Sequence, residues 1–295
     1  MGRWCLGGGV VPALAAVTIL VQGVAGQVPG STLAVVPVQS EASEVSYDPS
    51  LILETKIVPH AFFRSSGGRF GVELTPKFVV RIFDDESTPV RSPSYMPRAT
   101  VYVARDVEWN LASEQPGTFY SIRVGHHSNG EDGDFYADGR IDVDEGSFST
   151  NYVEVGMHRI LPELGLPLVG PSITILGASL EQHMWFGQTE ELDGQFSDTR
   201  LHLHLDSYRS DDEGSVNFSA QLSYLFGELR GEPYFGHERF VIDTQVQLRT
   251  PWFTTAGFYL GMYAGADYYN MRFRRYLLVP RFGLAFDFAT WGPIG

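Results

Sequence analysis

The sequence predicts an all-β fold: a single antiparallel transmembrane β-barrel of about twelve strands with an irregular N-terminal arm. The first supporting observation is composition, because the 295 residues include 20 Phe, 14 Tyr and 32 Gly, and this enrichment favours strands over helices. The second is an export signal at the N-terminus. The third is a series of alternating segments of about 10 to 16 residues that fills the rest of the chain.

The charge of the chain limits the class of partner. It contains 35 Asp and Glu against 21 Lys and Arg, a formal net charge of -14. A nucleic-acid-binding protein would present a basic face, so the balance argues against nucleic acid as a partner. The hydrophobic fraction of 43% is too high for a disordered chain.

The N-terminus has the layout of a secretory signal peptide over residues 1–26. Arg3 precedes an apolar stretch at residues 10–24, and small residues then lead to a cleavage site after Gly26. An N-terminal membrane anchor is the alternative. The single cysteine, Cys5, lies inside this segment, so the mature chain is expected to use no disulfide, Cys nucleophile or Cys-ligated zinc. Because no later run reaches about 18 apolar residues, the exported protein is either secreted or a β-barrel of an outer membrane.

Alternation favours the barrel. Residues 27–46 are rich in Pro, Ser, Gly and Val and predict the arm, residues 47–288 the barrel, and residues 289–295 a C-terminal tail. Near the end of the chain, Phe282 and Leu284 alternate with Arg281 and Gly283. A soluble sandwich also alternates, but these segments approach the length of a tilted membrane strand and carry Gly, Ser, Gln and Asp on the second face. Ten or eleven segments are visible, and the usual even number predicts twelve.

One predicted hairpin carries polar residues on its apolar face. Side chains two apart on a strand share a face, so His126 and Ser128 lie with Ile122 and Val124. On the following strand Asn151 shares the parity of the apolar residues, and neighbouring strands bring such positions within about 5 Å. Ser, His and Asn are the groups that a serine hydrolase needs as nucleophile, base and orienting residue. A polar pair followed by a Ser-Asn-Gly turn is an equally weighted alternative.

These motifs resemble those of the outer-membrane phospholipase A family. The residues Gly-His-His-Ser-Asn-Gly at 125–130 and Ser-Thr-Asn at 149–151 are similar to the family's His-x-Ser-Asn-Gly and Ser-Trp-Asn motifs. Ser-Thr-Pro-Val-Arg at 87–91 is similar to its Ser-Ser-Pro-x-Arg loop, and weaker similarity extends over about residues 45–288.

The resemblance implies a calcium-dependent phospholipase of the outer membrane that hydrolyses acyl esters of glycerophospholipids and forms a reversible homodimer. It implies that Ser128 is the nucleophile, His126 the general base and Asn151 the orienting residue. It further implies that the Ser147 hydroxyl and the Glu131 carbonyl bind Ca²⁺, together with the Ser87 carbonyl of a partner subunit. The chain departs from the family in a long acidic loop after Ser128. This loop either binds divalent cations, which would bridge to anionic lipopolysaccharide or enrich calcium, or is simply solvated.

Two other functions stay open. A lipid A deacylase also carries a His-x-Ser-Asn motif but uses a carboxylate as the third residue. A non-catalytic pore or scaffold would have a lumen wide enough for ions. His202 and His204 share the lumen face, where a polar lining is a simpler role than metal binding.

Overall fold

The computed structural model describes most of the predicted barrel. The described residues are 44–46, 51–58, 61–65, 69–83, 92–105, 117–162, 164, 169, 172–211, 214–227, 239–250, 252 and 256–286. The predicted signal peptide, the arm before residue 44, Ser87 and the tail at 289–295 lie outside them.

The described chain consists of antiparallel strands. In chain order the strands are β1 Glu44–Ser46, β2 Leu51–Ile57, β3 Ala61–Arg64, β4 Phe70–Phe83, β5 Ser94–Ala104, β6 Gly117–Ser128, β7 Tyr136–Ala137, β8 Arg140–Ile141, β9 Ser149–Leu161, β10 Ile173–Met184, β11 Thr199–Asp211, β12 Gly214–Phe226, β13 Phe240–Arg249, β14 Ala256–Ala266 and β15 Tyr276–Phe286. Two single 3-10 turns, Glu190–Leu192 and Asn270–Arg272, interrupt the loops. Within the ranges given above, no helix has the length and apolar character required to cross a membrane.

The strand pairings form a ring. From β4 each strand pairs with the next through β5, β6, β9 and then β10 to β15. β1 pairs with both β15 and β2, and β2 pairs with β4, which joins the two ends. β2 pairs with the second half of β4, and β3 pairs with the first half, so β2 and β3 lie one after the other along the same edge of β4. β7 and β8 form a separate hairpin in a loop. Counting β2 and β3 as one interrupted strand, the ring has twelve members, as the sequence predicts.

The arm differs from its prediction at its last residues. Glu44–Ser46 were expected to be irregular, but they form β1 between β15 and β2. A strand of three residues is too short to show alternation in the sequence. Its pairing removes two unpaired sheet edges, which would otherwise expose backbone N–H and C=O groups.

The two faces of the ring differ as the alternation predicts. Val124 is 52% exposed and Leu278 is 65% exposed on the outer face. On the inner face Arg281 is 2% exposed and Thr100 is fully buried. Apolar side chains outside and polar side chains inside are the arrangement of a transmembrane barrel, because lipid replaces water as the outer solvent.

Ion pairs and hydrogen bonds occupy the lumen. Arg81 of β4 pairs with Glu54 of β2 and with Asp267, where Nη1 lies 2.6 Å from Oδ2. Arg281 of β15 contacts Asp243 of β13 at 3.1 Å. Buried charges require partners of opposite sign, and these pairs join β2, β4, β13, β15 and the loop after β14. A cavity of about 270 Å³ remains between the lumen side chains.

Three loops pack together at the end of the barrel next to the hairpin of interest. They pack apolar side chains into one cluster, which consists of Phe135, Phe148, Leu192, Phe196, Met271 and Phe273. Tyr269 donates a hydrogen bond of 2.8 Å to the Ser92 carbonyl, which ties this cap to the start of β5. Burial raises the pKa of Tyr269 to about 12, so its hydroxyl stays protonated and able to donate. The cap gives the loop after β6 a rigid support.

Candidate active site

The site is built by the pairing of β6 with β9. In this antiparallel ladder His126 lies opposite Asn151, and Ser128 lies opposite Ser149. The neighbouring residues of the same parity, Ile122 and Val155, are 53% and 54% exposed. His126, Ser128 and Asn151 therefore lie on the outer face, at the end of the ladder where the loop begins.

His126 and Asn151 contact each other directly. The His126 Nδ1 atom lies 2.8 Å from Asn151 Oδ1. An amide oxygen can only accept a hydrogen bond, so Nδ1 carries the proton and donates it. In the neutral ring the other nitrogen, Nε2, is then unprotonated, which is the state that a general base requires.

Ser128 lies on the same strand and face as His126, two positions along. Two residues of a strand span about 6.8 Å, so the side chains are neighbours without being directly opposed. In the described part of the chain there is no hydrogen bond between the Ser128 hydroxyl and the His126 ring. On its other side Ser128 pairs with Tyr95 of β5, which is 37% exposed on the outer face. The hydrogen bond between a catalytic serine and its histidine is often long before substrate binds. The spacing of Ser128 and His126 is therefore compatible with a nucleophile and its base.

Asn129 holds the two ends of the following loop together. Its Nδ2 donates to the Gly146 carbonyl at 2.7 Å, and its Oδ1 accepts from the Phe148 N–H at 2.9 Å. The side chain is only 3% exposed. The Asn of the Ser-Asn-Gly motif thus connects β6 to the start of β9 and fixes where the loop leaves the barrel.

The predicted calcium ligands are only partly described. Glu131 and Ser147 stand at the two ends of the loop, whereas Ser87 lies outside the described residues. The Ser147 N–H donates to the Gly133 carbonyl at 3.0 Å, and the Glu131 carboxylate accepts a hydrogen bond from the Ser92 hydroxyl. Among the residues with assigned positions, no group of three or more His, Cys, Asp or Glu side chains could hold a metal ion.

Two glycines of the loop, Gly133 and Gly146, lie against backbone carbonyl oxygens of the same loop. A Cβ atom on Gly133 would lie 2.3 Å from the Glu145 carbonyl oxygen, and one on Gly146 would lie 2.5 Å from that of Asp142. These glycines leave room for oxygen atoms where side chains would collide with them. The Glu131 carbonyl and the Ser147 hydroxyl are oxygen donors in an acidic loop, and oxygen donors are the ligands that Ca²⁺ prefers.

Most acidic side chains of the loop remain at the surface. The exposed ones are Glu131, Asp132, Asp134, Asp138, Asp144 and Glu145. Asp142 is different, because its Oδ1 accepts the N–H groups of Asp144 and Glu145 at 3.0 and 3.1 Å. This carboxylate shapes a turn, and the others increase the negative potential around the loop.

The lumen histidines have polar partners of their own. His202 Nδ1 lies 2.7 Å from the Ser223 hydroxyl, and His204 Nε2 lies 2.9 Å from the Ser179 hydroxyl. Both side chains face the lumen, on the opposite side of the wall from His126. These contacts make both rings part of the polar lining of the lumen.

Sequence analysis missed the segment that follows β10. The Phe186 carbonyl accepts a hydrogen bond of 2.9 Å from Asn151 Nδ2, and the Ser149 hydroxyl donates to the Gly187 carbonyl at 2.9 Å. A backbone carbonyl leaves no mark in a sequence pattern. The glycine at 187 was the one available signal, because it follows two aromatic residues at the end of a strand.

The ring of antiparallel strands, apolar outside and polar inside, defines a barrel of the transmembrane class. Solved structures confirm this fold. Outer membrane phospholipase A from Escherichia coli is 13% identical with a TM-score of 0.54, and the match covers 88% of this chain and 99% of that chain. An active-site mutant of the same enzyme, with an asparagine replaced by alanine, is 11% identical with a TM-score of 0.57 over 88% and 95% of the two chains.

At sequence identities of 13% and 11%, the similarity to these structures shows a shared fold. It confirms that the resemblance found in the sequence motifs extends to the architecture of the whole barrel. No protein-family model matches the chain, and no curated protein matches its sequence.

Proposed function

We propose that this protein is a phospholipase of an outer membrane that hydrolyses acyl esters of glycerophospholipids with Ser128, His126 and Asn151. The observation that carries the proposal is the 2.8 Å contact between His126 Nδ1 and Asn151 Oδ1 on the outer face, beside Ser128. Polar groups on a lipid-facing surface are costly, so a hydrogen-bonded polar set at that place suggests a function.

The site can reach its substrate without removing it from the bilayer. In this proposal the Ser128 Oγ attacks the acyl carbonyl carbon while His126 Nε2 takes the hydroxyl proton. His126 then gives this proton to the departing lysophospholipid oxygen, which leaves an acyl ester on Ser128. A water molecule, deprotonated by the same nitrogen, hydrolyses that ester and releases the fatty acid. Asn151 keeps the ring in the tautomer that both proton transfers require.

Calcium is part of the proposal. The Glu131 carbonyl and the Ser147 hydroxyl would hold it, with the Ser87 carbonyl of a second subunit. A dication next to the reacting ester would stabilise the negative charge of the tetrahedral intermediate. The acidic loop favours a cation there through its summed negative potential.

The location follows from the same surfaces. Large apolar side chains exposed around the ring would be unfavourable in water, and an outer membrane accommodates them. The three longest connections, 129–148, 185–198 and 227–239, lie at the active-site end, whereas the longest connections at the other end are 105–116 and 162–172. Barrels of this class have long outer loops, so we place the active site in the outer leaflet. A reversible homodimer would bring the second Ser87 loop to the site.

Two alternatives fit the described geometry less well. A deacylase-like site would place a carboxylate against His126 Nδ1, and that position is held by the Asn151 amide. An open pore would conflict with the apolar cap and with the ion pairs that occupy the lumen.

The test is phospholipid hydrolysis by the purified protein in mixed micelles, with and without Ca²⁺, compared with Ser128→Ala. The proposal expects calcium-dependent release of fatty acid and labelling of Ser128 by a fluorophosphonate, both lost in the variant. Hydrolysis that survives Ser128→Ala would contradict it. Retention of activity in Asn151→Ala, with loss in a variant of a nearby carboxylate, would favour the deacylase alternative.

A further inference from the structure

We propose that the turn after β10, residues 185–189, is a positioning element that selects the amide orientation of Asn151. The inference rests on the proposed function for its effect on the reaction rate. Its structural part, the orientation of Asn151, stands on contacts alone. We call these residues the positioning turn.

Four hydrogen bonds attach the positioning turn to the start of β9. Asn151 Nδ2 donates to the Phe186 carbonyl, and the Ser149 hydroxyl donates to the Gly187 carbonyl, both at 2.9 Å. The Ser149 N–H donates to Thr189 Oγ1, and the Thr189 N–H donates to the Ser149 carbonyl, also at 2.9 Å. The turn therefore has a defined place beside Asn151.

These bonds, rather than side-chain packing, hold the turn. Trp185 is 87% exposed and Phe186 is 53% exposed, so neither ring is buried against the barrel wall. The backbone carbonyl of residue 186 points toward Asn151, while its ring lies at the surface. A change in the hydrogen bonds to Ser149 should thus move the carbonyl.

Gly187 is required for the close approach. Its φ angle is +66°, a left-handed conformation that glycine adopts without strain. A Cβ atom at this position would lie 2.4 Å from Asn151 Nδ2, well inside van der Waals contact. Any larger residue would push either the turn or the Asn151 amide out of place.

The hydrogen bond from Asn151 Nδ2 to the Phe186 carbonyl matters because the oxygen and nitrogen ends of an amide have nearly the same shape but opposite hydrogen-bonding roles. With Nδ2 bound to the Phe186 carbonyl, Oδ1 faces His126 and keeps the ring proton on Nδ1. If the amide turned over, its NH₂ would face His126 and favour the proton on Nε2. His126 could then no longer accept the proton of Ser128. The Phe186 carbonyl removes this ambiguity, so Gly187 and Ser149 act on the reaction through Asn151.

The test compares Gly187→Ala with Gly227→Ala. Gly227 also has a positive φ angle, +90°, but nothing lies within 4 Å of a Cβ atom built there, so it controls for backbone strain alone. We expect Gly187→Ala to lower kcat by about 10- to 100-fold, because misplacement of about 1 Å can have effects of that size. KM should stay within about twofold, since the substrate contacts are unchanged. Gly227→Ala should keep the wild-type kcat.

Imidazole N–H resonances in proton NMR supply a readout that does not depend on turnover. The resonance of the His126 Nδ1–H is identified by its loss in His126→Ala. We expect it in the wild type and in Gly227→Ala, and we expect it to disappear or shift in Gly187→Ala. A Gly187→Ala protein with wild-type kcat and an unchanged resonance would overturn the inference.

A second pair of variants covers the case in which Gly187→Ala fails to fold. Ser149→Ala removes the hydroxyl that binds the Gly187 carbonyl, whereas Ser149→Thr retains a hydroxyl. The inference expects a lower kcat and a shifted His126 resonance in Ser149→Ala, with both restored in Ser149→Thr. Equal behaviour of the two variants would contradict it.

Failure of the proposed function is distinguishable from failure of this inference. If the wild type neither hydrolyses phospholipid nor reacts with a fluorophosphonate, the proposed function fails. The His126 resonances still decide whether the turn orients Asn151.

Discussion

Arg123 and Glu154 form an ion pair on the lumen side of the two strands that carry the candidate active site, with Arg123 Nη1 2.6 Å from Glu154 Oε2. They are opposite each other in the same β6–β9 ladder that places His126 opposite Asn151. A shift of this ladder by one residue would exchange the two faces of one strand. The lumen ion pair therefore helps to keep the register on which the outer site depends.

Glu154→Gln should destabilise the barrel. The Glu154 side chain is 7% exposed and that of Arg123 is 22% exposed, so the variant leaves a largely buried guanidinium without its counter-charge. We expect a loss of about 2 to 3 kcal/mol in the free energy of unfolding, less than for a fully buried pair because Arg123 retains some solvent. Urea unfolding in lipid vesicles, followed by tryptophan fluorescence, measures it.

The control for this prediction is Glu190→Gln, since Glu190 is exposed in a loop. It should change the unfolding free energy by less than about 0.5 kcal/mol. The double variant Arg123→Met with Glu154→Met should recover much of the loss, because both charges of the pair are then absent. The single variants Arg123→Met and Glu154→Met complete the comparison. If their effects on the unfolding free energy add up to that of the double variant, the pair does not stabilise the ladder.

Adjacent histidines provide a test of the face on which chemistry occurs. His126 lies on the outer face with Asn151, whereas His127 faces the lumen and packs against Phe148 at a ring distance of 4.7 Å. His126→Ala should lower kcat by at least about 10³-fold, because the base and its tautomer are lost. His127→Ala should retain most of the activity, although it lowers stability by removing a packed ring. Hydrolysis in mixed micelles measures both, and equal losses in the two variants would contradict the outer-face site.

The strands and their faces were predictable because a strand has a strict period of two. The alternation around Arg281 and Leu278 is enough to assign one to the lumen and the other to the outside, as observed. The same rule places Asn151 with His126 before any contact is known. Here the local pattern and the tertiary structure carry the same information.

Other parts of the molecule depend on contacts between residues distant in sequence. β1 closes the ring, but three residues show no readable period. Phe135 and Phe273 pack together in the cap, although they belong to loops that are far apart in the sequence. The Phe186 carbonyl belongs to the backbone, which is the same in every residue. Such features follow from the path of the chain in space rather than from local side-chain patterns.

Calcium dependence should be sensitive to Ser147. Removing this hydroxyl leaves the proposed site with fewer oxygen donors, so Ser147→Ala should raise the Ca²⁺ concentration for half-maximal hydrolysis by about tenfold. The rate at saturating Ca²⁺ should approach that of the wild type. A Ca²⁺ titration after treatment with a chelator measures both quantities.

The control for the calcium prediction is Ser65→Ala, which removes an exposed hydroxyl from the opposite end of the barrel. It should leave the Ca²⁺ titration unchanged. Wild-type hydrolysis that persists in excess chelator would remove calcium from the proposed mechanism. It would leave the roles of Ser128, His126 and Asn151 to be judged by their own variants.

Asn129→Ala should loosen the acidic loop while leaving the strands in place. The substitution removes the hydrogen-bonding partner of the buried Gly146 carbonyl and of the Phe148 N–H, which Asn129 binds at 2.7 and 2.9 Å. An unpaired buried polar group costs about 1 to 3 kcal/mol, and water entering the loop would recover part of this cost. Because the loop is acidic, a glutamyl endopeptidase should cleave it faster in Asn129→Ala than in the wild type. Asp132→Asn, an exposed change in the same loop, should leave the cleavage rate nearly unchanged, since Asp132 contributes no comparable buried contact. If the Asn129→Ala loop were cleaved no faster than the wild-type loop, the cap formed with Phe148 and Phe273, rather than the Asn129 side chain, would be what holds the loop.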